Sequence, residues 1–86
     1  MARYELRVRK SVGKDLDPIP KRDRQRIIDA IRALADEPRP PQSMKLSGAE
    51  KYRIRCGAYR VLYEIYDDVL VICVVKVGHR KDVYRG

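Results

Sequence analysis

Lys51-Tyr52-Arg53-Ile54-Arg55-Cys56-Gly57-Ala58-Tyr59-Arg60-Val61-Leu62-Tyr63-Glu64-Ile65 is the stretch that decides the fold. Two runs rich in Tyr, Ile and Val flank Gly57-Ala58. A glycine at the first central position of a two-residue loop is what a type II′ hairpin requires. Such a loop pairs Cys56 with Tyr59, Arg55 with Arg60, Ile54 with Val61 and Arg53 with Leu62. Directly opposed residues share a face. Arg53, Arg55 and Arg60 are therefore expected on one side of the sheet, and Tyr52, Tyr59 and Tyr63 on the other, in the core. Arg55 across from Arg60 is a like-charge pair, which destabilises a sheet. Stability alone does not explain it.

Downstream, residues 69–77 form a third β-like run, with Asp67-Asp68 read as a two-residue turn. That turn pairs Tyr66 with Val69 and Arg60 with Val75. Cys73 then falls opposite Leu62 on the arginine face and Cys56 on the other, so the two cannot bridge without backbone movement. Unpaired cysteines fit a reducing compartment, as packing residues rather than nucleophiles. Continuing the strand carries Gly78, His79 and Arg80 towards Arg55 and Arg60. Parity puts His79 on the arginine face unless the chain bends at Gly78. Tyr84 follows on a short tail. The candidate cluster is Arg53, Arg55, Arg60, His79, Arg80 and Tyr84.

Upstream, residues 3–9 alternate, with Tyr4, Leu6 and Val8 against Arg3, Glu5, Arg7 and Arg9, the period of a half-buried strand. Ser11 is expected to cap a short helix carrying Val12 and Leu16, which Pro18 and Pro20 stop. Pro20 suits the first turn of a second helix. The core-facing stripe of that helix is Ile27, Ile28, Ile31, Leu34 and Ala35. Its terminal charges, Lys21 and Arg22 against Asp36 and Glu37, oppose the macrodipole, so tertiary packing must hold it. Pro38, Pro40 and Pro41 lead into a loop. The expected fold is α+β, a single domain over 1–86 in the order β-α-α-β-β-β: a small, mostly antiparallel sheet with two N-terminal helices packed on it.

The chain has 86 residues, with 20 Lys and Arg against 12 Asp and Glu, a net charge of +8. This balance points to a polyanionic or acidic partner. No apolar run approaches the roughly 18 residues of a membrane span. The first ten residues hold no apolar leader core, so the expected compartment is the cytoplasm. With one His and no Cys-x-x-Cys, neither a metal site nor a cofactor is expected.

The hairpin run at 51–65 resembles the central hairpin of the RelE/ParE toxin superfamily. Val74-Val75-Lys76-Val77-Gly78-His79-Arg80-Lys81-Asp82-Val83-Tyr84 is similar to the RelE-type ending. The β-α-α start and the Pro-rich link to Met44-Lys45-Leu46 also fit, so the resemblance covers nearly the whole chain. It implies the toxin of a type II toxin–antitoxin pair: a metal-independent endoribonuclease that cuts mRNA in the ribosomal A site by attack of a 2′-hydroxyl on the adjacent phosphate. Arg53, Arg55, Arg60, Arg80 and Tyr84 occupy positions matching the family's functional residues. Relatives often have Lys where this chain has Arg53 and Arg55. Arg stays protonated, so the resemblance leaves His79 as the expected general base, with Asp82 and Glu64 as weaker choices. The implied partners are a RelB-like antitoxin, the ribosome with its mRNA, and operator DNA only through the antitoxin complex. The alternatives are a ParE-like toxin, which poisons gyrase without cutting RNA, and a plain nucleic-acid binding module.

Overall fold

A computed structural model describes residues 3–46 and 51–79. The elements are β1 (Glu5–Val8), α1 (Lys10–Leu16), α2 (Lys21–Ala33), β2 (Ser43–Lys45), β3 (Lys51–Cys56), β4 (Tyr59–Tyr66) and β5 (Val71–His79). The five strands form one sheet in the order β1-β5-β4-β3-β2. The β1–β5 pair is parallel and the other three are antiparallel. The expected α+β architecture is present with one strand more than the sequence announced. Ser43–Lys45 is too short to show an alternating pattern and is held by pairing with Ile54, Arg53 and Tyr52.

Both helices cover one face. Val12 from α1, Ile19 from the link, Ile27 and Ile31 from α2, and its C-cap Leu34 meet Ile54, Val61, Tyr63, Ile65, Ile72, Val74 and Val77 from the sheet. Each buried Ile, Leu or Val removes apolar surface from water and stabilises by about 1.5–3 kcal/mol before the cost of ordering is subtracted. Ile28 of the expected stripe is only half-buried.

Three local details differ from the sequence reading. The cap of α1 is Arg9, with no side-chain cap bond, and Ser11 lies inside the helix. Arg9 N–H still bonds Val74 C=O at 3.1 Å, so the chain leaves the sheet and enters the helix with no residue between for a Ser cap. Pro20 is the N-cap of α2 rather than a first-turn residue; its carbonyl accepts from Arg24 N–H at 2.8 Å. Finally, Asp23 in the first turn of α2 and Arg32 in the last complement the dipole, partly offsetting the adverse charges outside them.

The β3–β4 hairpin has the expected register at every pair, from Cys56–Tyr59 to Arg53–Leu62, with Gly57 at φ 59°. The β4–β5 hairpin does not. Tyr66 pairs with Val71, not Val69, because the turn spans Asp67 to Leu70. Leu70 holds φ 54°, and its carbonyl accepts from Glu5 N–H at 2.8 Å. The parallel strand β1 thus bonds the carbonyl of Leu70, just before its first ladder pair Glu5–Val71, and holds Leu70 in the turn. Further along, Tyr63 pairs with Val74 but Leu62 with Lys76, so Val75 is an extra residue, a β-bulge. Beyond it Arg60 faces Gly78 instead of Val75. Cys73 pairs with Glu64 and Arg7 rather than Leu62, though it does lie on the arginine side of the sheet. Both cysteines are free thiols.

β1 covers β5 only as far as Val74. Past that point α1 supplies Asp15, whose carboxylate accepts from Val77 N–H at 3.2 Å.

Candidate functional site, a cationic cleft

On the sheet face away from the helices, Arg53 and Arg55 of β3 and Arg60 of β4 line a cleft of about 250 Å³. Its other wall is Pro41 to Met44, the end of the proline link and the start of β2. No Asp or Glu among the described residues lines it. The three arginines are brought together by hairpin register alone: Arg55 opposes Arg60, and Arg53 lies one same-face position along β3. Arg55 is exposed, Arg53 half-buried, and Arg60 only 5% exposed. Room for Arg60 comes from Gly78, its β5 partner, which projects no side chain. Burying a guanidinium is costly, and an anion bound in the cleft would offset that cost. Arg53 Nη2 also lies 3.1 Å from the Met44 sulfur, a contact made possible by the Met44–Arg53 pairing.

Planar guanidinium forks hold phosphate oxygens in pairs and stabilise charge that develops on them. A cleft of this size without carboxylates suits a phosphodiester. Among the described residues, no group of three or more His, Cys, Asp or Glu could hold a metal ion.

His79 is not with the arginines. The Val75 bulge reverses parity along the rest of β5, so Val77 is 2% exposed in the core and His79 pairs with Tyr59. The two rings meet edge to face with centroids 5.8 Å apart, beside a groove lined by Lys14, Asp15 and Ile19 on the helix side. The expectation that His79 falls on the arginine face is therefore corrected. Glu64 is on the arginine face but four residues along β4 from Arg60, where it accepts from the Tyr66 hydroxyl at 2.9 Å. Arg80, Asp82 and Tyr84 lie outside the described residues.

A second polar cluster, not apparent from the sequence, occupies the other end of the sheet. Arg39 forms two bonds to Asp67, Nη2 to Oδ2 at 2.8 Å and Nη1 to Oδ1 at 3.3 Å. Its Nε donates to the Tyr52 hydroxyl at 3.1 Å, and its guanidinium sits 5.2 Å from the Tyr52 ring centroid. The Tyr4 hydroxyl donates to Asp67 at 2.6 Å. These partners hold the Asp67 carboxyl below the usual range, Arg39 first and Tyr4 second. Tyr63, stacked on Tyr52, donates its hydroxyl to Pro38 C=O at 2.7 Å. Burial pushes the Tyr63 phenol up to about 12. This network anchors the proline link before it reaches the cleft as Pro41–Met44. Nothing local in the sequence joins Arg39 to Asp67, 28 residues apart.

Residues 6–84 match the family model described as ParE toxin of type II toxin–antitoxin system. The chain is 32% identical to a RelE-like toxin protein of Escherichia coli, covering 96% of this chain and 92% of that one. It is 31% identical to toxin RelG of Mycobacterium tuberculosis, covering 95% and 97%. Among solved structures, the archaeal RelE–RelB complex from Pyrococcus horikoshii superposes with a TM-score of 0.83 at 32% identity, covering 93% of this chain and 97% of that one.

Proposed function

This chain belongs to the RelE/ParE superfamily of type II toxin–antitoxin toxins, and from that premise we propose that it is an mRNA interferase acting in the ribosomal A site. The observation that carries the reading is the cleft in which Arg55 directly opposes Arg60 beside Arg53, with no described carboxylate lining it. In this mechanism the mRNA 2′-hydroxyl passes its proton to water as its oxygen attacks the adjacent phosphorus. The bond to the 5′-oxygen breaks, leaving a 2′,3′-cyclic phosphate and a 5′-hydroxyl. Arg55 and Arg60 hold the non-bridging oxygens and stabilise the charge that grows on them, the task for which preorganised donors matter most. Arg53 neutralises the neighbouring phosphate and keeps the strand in register. Arg80 and Tyr84, placed by the resemblance at the same site, serve the leaving oxygen and a stacked base. His79 takes no part in proton removal, because its pairing with Tyr59 turns it to the other side of the sheet.

The partner in this reading is a RelB-like antitoxin, supported by the solved complexes the chain resembles. A chain of net charge +8 favours an acidic toxin-binding segment on it. Operator DNA is reached through that complex.

A second reading, a gyrase poison, is favoured by the matching family model being the one described for ParE. Purified ribosomes carrying a defined mRNA, with 5′ ends mapped after addition of the chain, separate the two. Codon-positioned cuts that fall at least about a hundredfold in Arg55→Ala support the interferase. Intact mRNA together with gyrase-dependent DNA breaks overturns it.

A further inference from the structure

Met44 is 54% exposed on the wall of the cleft, and its sulfur already accepts from Arg53 Nη2 at 3.1 Å. A thioether is a weak acceptor, so this contact yields readily to a phosphate oxygen. Oxidation changes that balance. A hydroperoxide transfers one oxygen to the sulfur lone pair; its O–O bond breaks, an S=O bond forms, and water or the corresponding alcohol leaves. The sulfur loses two electrons and the peroxide gains them. The product is a polar side chain with an oxygen acceptor in place of an apolar one.

We propose that Met44 is an oxidation-sensitive modification site whose sulfoxide occupies Arg53 and closes the cleft to RNA phosphate. The inference rests on the cleft being an RNA site, as argued above. The β2–β3 register holds Met44 opposite Arg53, so the new oxygen forms beside the guanidinium without any change of fold. The exposure of Met44 gives both a peroxide and a repairing reductase access to the sulfur.

The test uses the full chain treated with hydrogen peroxide. Peptide mass mapping locates the added oxygen, and a labelled short RNA reports affinity by anisotropy. Affinity is expected to fall about tenfold with oxidation of Met44, the scale of one lost hydrogen bond to a charged group. Methionine sulfoxide reductase is expected to restore it, which separates this event from oxidation of Cys56 or Cys73 beyond the sulfenic stage. Met44→Leu, compared with its own untreated form, is expected to show no peroxide effect. Met44→Gln, which carries an amide oxygen near the same place, is expected to bind weakly without peroxide. Full RNA affinity with Met44 oxidised, resistance of Met44 to peroxide, or an equal loss in Met44→Leu overturns the proposal alone. Untreated wild type that binds no RNA overturns the reading of the cleft and this proposal with it.

Discussion

Arg39, fastened to the Asp67 turn, and Arg55, beside the Gly57-Ala58 turn, sit towards opposite ends of the β4 strand. Arg39 holds Asp67 with two bonds, the Tyr52 hydroxyl with a third, and the Tyr52 ring beneath it. Arg55 is exposed, faces another arginine across the ladder, and shares a cleft that no described carboxylate lines. One end of the sheet uses a guanidinium to fasten a loop; the other concentrates guanidinium groups where they repel. The same residue type can close a structure or prepare it for an anion. Which it does depends on whether the fold brings it a carboxylate.

The largest effect expected from breaking this contrast is functional. Arg55→Ala should reduce mRNA cleavage by about a hundredfold, the scale of losing one preorganised donor. The melting temperature should not fall, since the substitution relieves the opposed pair. A protein that loses activity only because it unfolds would contradict the assignment. His79→Gln should keep cleavage within about tenfold of wild type, below the contribution of a positioned general base; a loss of a thousandfold would restore His79 to the site.

At the other end the expected losses are of stability. Tyr63→Phe removes the bond from a buried tyrosine to Pro38 C=O, at a cost of about 1 kcal/mol. For a domain of this size that lowers the melting temperature by about 4–8 °C. RNA affinity should change far less, and a loss matching that of Arg55→Ala would show that the two ends are not independent. Smaller again is the acid response of Asp67. Its folded pKa lies below its unfolded one, so its contribution is fully present above about pH 4, the ordinary value for Asp. It is lost as pH falls through the folded value. Thermal melts from pH 6 to pH 3 should show a component that disappears in Asp67→Asn. An identical acid slope in the variant would place the sensitivity elsewhere.

Much of the cleft was legible because it depends on a two-residue turn. Gly57-Ala58 sets every pair of the β3–β4 ladder, and those pairs alone bring Arg53, Arg55 and Arg60 together. The β4–β5 ladder was not legible, because its register answers to distant partners. Glu5 takes the carbonyl of Leu70 and so lengthens the turn. Val75 bulges where β1 ends and Asp15 takes over the strand edge. Neither event leaves a mark in residues 66–79, and the position that His79 takes against β4 depends on both. Arg39 was missed for the same reason, since its acid lies on a turn far along the chain.

Val75 acts on β5 as an inserted base acts on a message. Upstream of it the even positions, Ile72 and Val74, enter the core; downstream the odd position Val77 does. The fold absorbs the insertion at one bulge, while the later side chains of β5, to His79, change sides. Gain or loss of one residue at this point would therefore move a histidine between the arginine face and the helix-covered face. It leaves the sheet, the helices and the arginine hairpin as they are.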